Sequence, residues 1–371
     1  MHTRRRFLSA AAAAPLFGQS PAVIRTGVKD ATKDKLQSKL WFAHGVWWAM
    51  LPTPFGPAVW KRTAQGWQRQ AALDAPLRGL PAQADVLLAD GAVHAVLVET
   101  DRIAAVSLAW NPATATYAPG AAPVLLTTHK GIETATIAHA AGRLWIAYNS
   151  GRHMYVRTAA PGGSWAEPEQ ITQTAAKDDD ICQIIAFPGG VGVLWSDQAA
   201  DAVYFRRHDG TRWLPPETAD HGGNTADDHI SAAVAKDGTL YVATKNSVDT
   251  EGQPQQVLRI RNPQGEWRNL PYAPLTATEQ PTRPIALLSA DQRTLHLLHT
   301  VAVRRAKPAR SRIVHIATPA ARPVPSAPAH SLPAHTLIDG PAAINNVTGA
   351  KQTAGLVIAS DAEGNVYEAR F

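Results

Sequence analysis

The chain has 371 residues, 45% of them hydrophobic and 18% charged, which is too apolar for a disordered chain and too long for a stapled mini-protein. Its single cysteine, Cys182, excludes a disulfide framework and any thiolate metal cluster made by this chain alone. The net charge of +6 comes from 36 basic and 30 acidic residues, and three of the basic ones fall in the first six positions. The rest of the chain is too nearly balanced for nucleic acid to be an expected partner.

Residues 1–22 read as an export signal of the twin-arginine type. Arg4, Arg5 and Arg6 precede Phe7 and Leu8, then a run of small apolar residues leads to Ser20-Pro21-Ala22. That run is about a dozen residues, short of the roughly 20 needed to cross a bilayer. A periplasmic or secreted protein without a membrane span is expected, with residues 23–371 as one domain. The chain holds neither a haem-attachment CxxCH nor a GxGxxG opening a helix, so no cofactor is expected.

The body of the chain is a repeat. Short β-branched and aromatic runs alternate with turn residues, and 28 prolines and 26 glycines punctuate them. The segments 44–51, 90–97, 141–148 and 237–244 fit one mould, a turn glycine followed by an apolar strand. The turn glycines Gly45, Gly91, Gly142, Gly190 and Gly238 lie 46, 51, 48 and 48 residues apart, and Arg293 takes the same place 55 residues on. A weaker last copy surrounds Ala354. Each unit adds a third strand, then a turn and a tryptophan such as Trp67, Trp165, Trp213 or Trp267. Four strands in a unit of about 50 residues describe a propeller blade. The fold expected is all-β, a seven-bladed β-propeller of four-stranded antiparallel blades, with six blades as the alternative count. The last copy ends on its third strand, so part of residues 23–35 is expected to add the missing strand and close the ring. A closed ring has no bare sheet edge asking for a partner, and a monomer is expected.

The paired strands followed by glycine and an outer tryptophan resemble the blades of secreted bacterial sialidase-like propellers, of the Asp-box (BNR) type. The nearest match to the box S-x-D-x-G-x-T-W is Asp209-Gly210-Thr211-Arg212-Trp213, one residue short and without the serine. The resemblance implies the architecture across nearly the whole chain. It does not extend to the sialidase catalytic motifs, because the Arg-Ile-Pro tripeptide is missing. Polysaccharide lyases acting on uronate polymers also use seven-bladed propellers, an analogy of fold alone.

Loops entering the innermost strand and loops joining strands two and three share one face of a propeller, at the mouth of its channel. Aligning the copies gives two polar columns there. The first reads Gln83, Glu133, Asp180, Asp228-His229, Arg283 and Asn345-Asn346; the second reads Pro52, Val98, Asn149, Asp197, Lys245, Thr300 and Asp361, with Tyr148 and His299 just before two of these. Solvated channel residues are the plain reading. The chemical reading is a site for an acidic oligo- or polysaccharide. Arg283 and Lys245 would hold a carboxylate, with Asn149, Asp228 and His299 around the sugar. His229 or Tyr148 would move the proton in β-elimination. Glu133 and Asp180 are the pair that glycoside hydrolysis would use. A carbohydrate-active enzyme on uronate-type glycans, lyase ahead of hydrolase, is thus expected; the alternative is a propeller that only binds a glycan or another envelope protein. Asp178-Asp179-Asp180 and Asp227-Asp228-His229 offer hard ligands to Ca²⁺ but match no calcium-loop spacing, and no metal is assigned. Arg304, Arg305, Lys307, Arg310 and Arg312 crowd one loop of the sixth copy. Trp41, Trp47, Trp48 and Trp60 read as core.

Overall fold

The computed structural model describes residues 22–32, 37–126, 130–173, 177–307, 309–324, 329–332, 338–339, 346–351 and 354–371. Residues 1–21 of the expected signal, Asn345, and parts of the proline-rich stretch at 319–336 lie outside the described residues.

The repeated turn signals form hairpins for a local reason. His44-Gly45, Asp90-Gly91 and Ala141-Gly142 each take positive φ at both positions, the two-residue turn whose twist matches that of the flanking strands. In the fourth copy the turn falls one residue early: Gly189 has φ +83° while Gly190 already pairs with Phe187 inside the sheet. Gly190 is glycine for space, since a Cβ there would sit 2.0 Å from the His208 carbonyl oxygen.

Seven sheets result, which settles the blade count against six. Blade one runs Leu40–Ala43, Val46–Thr53, Gly56–Thr63, Gly66–Arg69, from axis to rim. Blade two has Gln83–Ala89, Ala92–Glu99 and Arg102–Asn111, whose outer edge pairs with both Thr116–Pro119 and Val124–Leu126. Blade three comprises Ala135–Ala140, Arg143–Ser150, His153–Ala159 and a two-residue outer strand, Glu169–Gln170. Blade four is Cys182–Phe187, Gly190–Asp197, Ala202–His208, Glu217–His221, and blade five Ile230–Val234, Leu240–Lys245, Pro254–Arg261, Trp267–Pro274. Blade six consists of Glu279–Leu288, Thr294–Val303, Arg310–Pro319 and Ala329–Ser331, with Ile338–Asp339 also on its third strand. Blade seven takes Asn346–Gly349, Leu356–Ser360 and Asn365–Arg370 from the end of the chain and Ile24–Arg25 from its beginning. Ile24 faces Val366 and Arg25 faces Asn365, antiparallel, so the closing strand forms as expected.

The apolar core is divided rather than central. Seven clusters of buried residues fill the seven gaps between neighbouring blades. Trp41 and Trp48 stack in the gap between blades one and two with centroids 6.1 Å apart, fully buried, as core residues should be. Near the axis, polar side chains satisfy the free backbone of the next inner strand. Asp85 accepts from the Ser38 and Ile137 amides at 2.7 Å each. Thr136 Oγ1 accepts from Ile184 N at 2.9 Å, and Ser231 Oγ from Ala286 N at 3.1 Å. Lys351 pairs with Asp85. These buried polar residues are structural, each replacing a ladder bond that blade-to-blade packing leaves open.

Candidate functional site

Three elements bring charge together at blades five and six. The loop Asp227-Asp228-His229 enters the innermost strand of blade five, and Lys245 ends the neighbouring strand. His229 Nδ1 lies 2.7 Å from Asp227 Oδ1 and also contacts Asp228 Oδ1. Lys245 Nζ and Ser247 Oγ donate to Asp227 Oδ2, both at 2.8 Å. Asp227 and His229 are buried, at 7% and 6% exposure, and His229 Nε2 is enclosed without a hydrogen-bond partner. Beneath the loop, fully buried Arg259 holds the segments on both sides: it bonds Thr225 and Thr244, donates to Asn246 Oδ1 at 3.0 Å and pairs with Asp220 at 3.0 Å. Burial lowers its guanidinium to about 10, with Asp220 opposing the shift.

Arg283 arrives from blade six through an irregularity. The register of its strand shifts between Thr282 and Ile285, and Arg283 takes φ +53° directly before Pro284. Positive φ is costly for a residue with a long side chain, and a bulge re-aims the side chain it carries. Burial lowers the Arg283 guanidinium, against the opposing charges of Asp228, Asp30 and Asp227. Its Nη1 is 3.5 Å from Thr282 Oγ1, and its Nε is buried without a partner. Asp30 belongs to the N-terminal segment that closes the ring.

The remaining candidates stand elsewhere. Asn149 Oδ1 accepts from the amides of Glu133 and Thr134 at 3.0 and 2.9 Å, tying its own blade's entry loop. Glu133 is exposed. Asp180 is buried and takes the Lys177 amide at 2.7 Å, the Gln198 amide at 3.1 Å and the Ser196 hydroxyl at 3.2 Å. Burial raises its carboxyl and these donors oppose the rise. Tyr148 is buried in the apolar gap between blades two and three, stacked on Tyr155 at 5.6 Å. Burial raises its phenol, with Arg157 opposing. His299 is buried against Tyr272. Arg304 and Arg312 of the basic loop are engaged, with the Thr276 carbonyl at 2.8 Å and with Glu279 at 2.5 Å.

His229, Asp228, Lys245 and Arg283, four of the sequence candidates, therefore converge. Asp227, the residue joining His229 to Lys245, was read in the sequence only as a weak calcium ligand, because it lies one position outside the aligned column. The ligand atoms of Asp227, Asp228 and His229 fall within 4.8 Å of one another, but Lys245 and Arg283 already set positive charge against these acids, which disfavours a cation there.

No family model matches the chain, and no curated protein matches its sequence. Solved structures share its fold. The α-L-arabinanase of Penicillium chrysogenum complexed with arabinobiose is 12% identical, with a TM-score of 0.51 over 84% of this chain and 100% of that one. An α-L-arabinofuranosidase of Fusarium graminearum in complex with an iminosugar inhibitor is 11% identical over 79% and 98%, with a TM-score of 0.46. A sialidase of Streptococcus pneumoniae is 12% identical over 72% and 48%, with a TM-score of 0.39. At such identities the likeness is of fold alone and assigns no family. Among the described residues no helix is long and apolar enough to cross a membrane.

Proposed function

We propose that the chain is an exported carbohydrate-active enzyme whose blade-five site takes an acidic sugar and cleaves beside it by β-elimination. One observation carries this reading: a half-buried arginine whose Nε is enclosed without a partner, at the same site as a histidine oriented by carboxylates. Arg283 has capacity for the two parallel hydrogen bonds a uronate carboxylate accepts. Neutralising that carboxylate acidifies the adjacent C–H. With Nδ1 held by Asp227 and Asp228, His229 keeps Nε2 as the acceptor. The proton passes to Nε2, its bonding pair becomes the new C=C bond, the C–O bond to the leaving sugar breaks, and water protonates the departing oxygen. Lys245, fixed by Asp227, adds positive charge. A second reading, a propeller that binds acidic glycans without cleaving them, is favoured by the enclosure of Nε2.

Incubation with a panel of uronate polymers tests the proposal through the ultraviolet absorbance of the unsaturated product. The expected result is a rising signal that Arg283→Ala and His229→Ala abolish, and that Arg283→Lys reduces by at least about tenfold. New reducing ends without absorbance would mean hydrolysis and overturn elimination. Retained binding with neither signal would leave the second reading.

A further inference from the structure

At the channel mouth blade six stands above the other blades. Elsewhere the second strand stops at most one residue past its place in the second polar column, at Thr53, Glu99, Ser150, Asp197, Lys245 and Ser360, whereas in blade six it runs three residues beyond Thr300, to Val303. The added length is paired throughout. Glu279 to Thr282 face Val303 to Thr300, and Val301, Ala302 and Val303 face Arg312, Ser311 and Arg310. At about 3.4 Å per residue the extension lifts its turn roughly 10 Å above the neighbouring blades. Arg283 lies at its foot, one position past the Thr282–Thr300 pair. The turn is fastened from below: Arg304 donates from N and Nη1 to the Thr278 and Thr276 carbonyls at 2.7 and 2.8 Å, and Arg312 Nη2 donates to Glu279 Oε2 at 2.8 Å. Arg305 and Lys307 are exposed instead. Arg305 takes φ +61°, a turn position where glycine or asparagine costs less. No Asp or Glu occurs between Asp291 and Asp339. The mouth loops on either side carry acids, Asp249 and Glu251 in blade five and Asp361 and Glu363 in blade seven. Positive charge therefore gathers on blade six and not on its neighbours.

We infer that this extension is a distal subsite for an acidic polysaccharide. The inference rests on the blade-five reading, in which Arg283 holds one uronate carboxylate; the carboxylates of sugars further along the same chain lie against Arg305 and Lys307. A single sugar on Arg283 does not span the roughly 10 Å to the turn, so the substrate engaged is a polymer. Exposed cations are weak one at a time and are screened by salt. Here they act on a chain whose first carboxylate is already anchored, which raises the effective concentration of the next ones. The extension thus sets affinity for long substrates and its salt dependence, and leaves the chemistry at His229 alone.

Binding of uronate dimers and of the matching polymers is measured by calorimetry on the full chain at low and moderate salt. The double variant Arg305→Ala, Lys307→Ala should bind polymers at least about tenfold more weakly than the parent, with a shallower salt dependence. Dimer affinity should stay within about twofold. Both residues are exposed, so the fold is not at stake. Arg283→Ala should weaken dimers and polymers alike. Unchanged polymer affinity in the double variant, while Arg283→Ala still loses binding, refutes the subsite and spares the blade-five reading. An equal loss for dimers and polymers in the double variant refutes it too. Loss in the double variant with no effect of Arg283→Ala overturns the blade-five reading instead. Single-stranded DNA bound through Arg305 and Lys307 as tightly as the polymers overturns the assignment to a glycan, since the cations would then read charge alone.

Discussion

Burial pushes the His299 imidazole down to about 3 from an ordinary 6.5, and Arg312 adds to the shift. His315 falls to about 4 through burial and its histidine neighbours, and burial lowers His296 as well. Each of these side chains accepts a proton more readily in the unfolded chain. Stability from these groups is therefore complete above pH 6.5 and is lost as the pH falls from there toward the folded values, by up to ~1.4 kcal/mol per unit for the fully enclosed His299 and by less for the half-buried pair. His299→Phe keeps the ring against Tyr272 and removes one such proton. Between about pH 7 and about pH 5 the variant should lose ~2 kcal/mol less than the parent protein, read from urea midpoints at both values. Parallel losses would mean that His299 is protonated in the folded state. As a sugar ligand, an imidazole so enclosed has little to offer; it serves packing.

Two carboxylates staple neighbouring blades by the same device. Glu368 of blade seven accepts from Arg62 Nη2 at 2.6 Å and Trp67 Nε1 at 2.8 Å, both in blade one. Glu217 of blade four accepts from Arg261 Nη2 at 2.8 Å and Trp267 Nε1 at 3.1 Å, both in blade five. Burial alone would raise the Glu368 carboxyl, but the Arg62 and Trp67 hydrogen bonds outweigh it and hold the group below its usual range. Glu368→Gln and Glu217→Gln should each cost ~1–2 kcal/mol, and the double variant should lose the sum, because the two sites share no partner. A sum well below additivity in chemical unfolding would count against independent staples. The outer tryptophans were legible in the sequence as a repeated feature of the blade, but their carboxylate partners were not, since each lies in the preceding blade. The same limit governs the site. His229, Asp228 and Lys245 were readable because the repeat aligns strand ends, and Arg283 fell in that column although its orientation depends on a bulge the repeat does not encode. Asp30 contributes only once the ring is closed. Outer strands were hard to read for another reason: strands of two to four residues at a rim are too short to show alternation.

A ring whose core is divided among seven gaps depends on every gap being shut, and the last is shut by residues 22–32. Ile24 is 4% exposed and packs with Leu356, Ile358 and Val366. Thr32 and Ser360 exchange hydrogen bonds in both directions, amide to hydroxyl, at 2.9 Å. Thr26 Oγ1 donates to the Gly364 carbonyl at 3.1 Å. Gly364 has φ +80°, and a Cβ there would meet the Val28 carbonyl oxygen at 2.2 Å, so the turn before the last strand must be glycine for the segment to lie down. Without these residues Asn365–Arg370 becomes a bare edge and blade seven opens toward solvent. Ile24→Ala should therefore cost ~2–5 kcal/mol and Thr32→Ala ~1–3 kcal/mol, in denaturant unfolding of the full ring. A chain lacking residues 22–32 should unfold at lower denaturant than either variant and associate through the exposed edge, seen as a concentration-dependent mass in light scattering. If it stays monomeric at the parent midpoint, the apolar gaps alone hold the ring, and the N-terminal strand is an ornament of closure and not its cause.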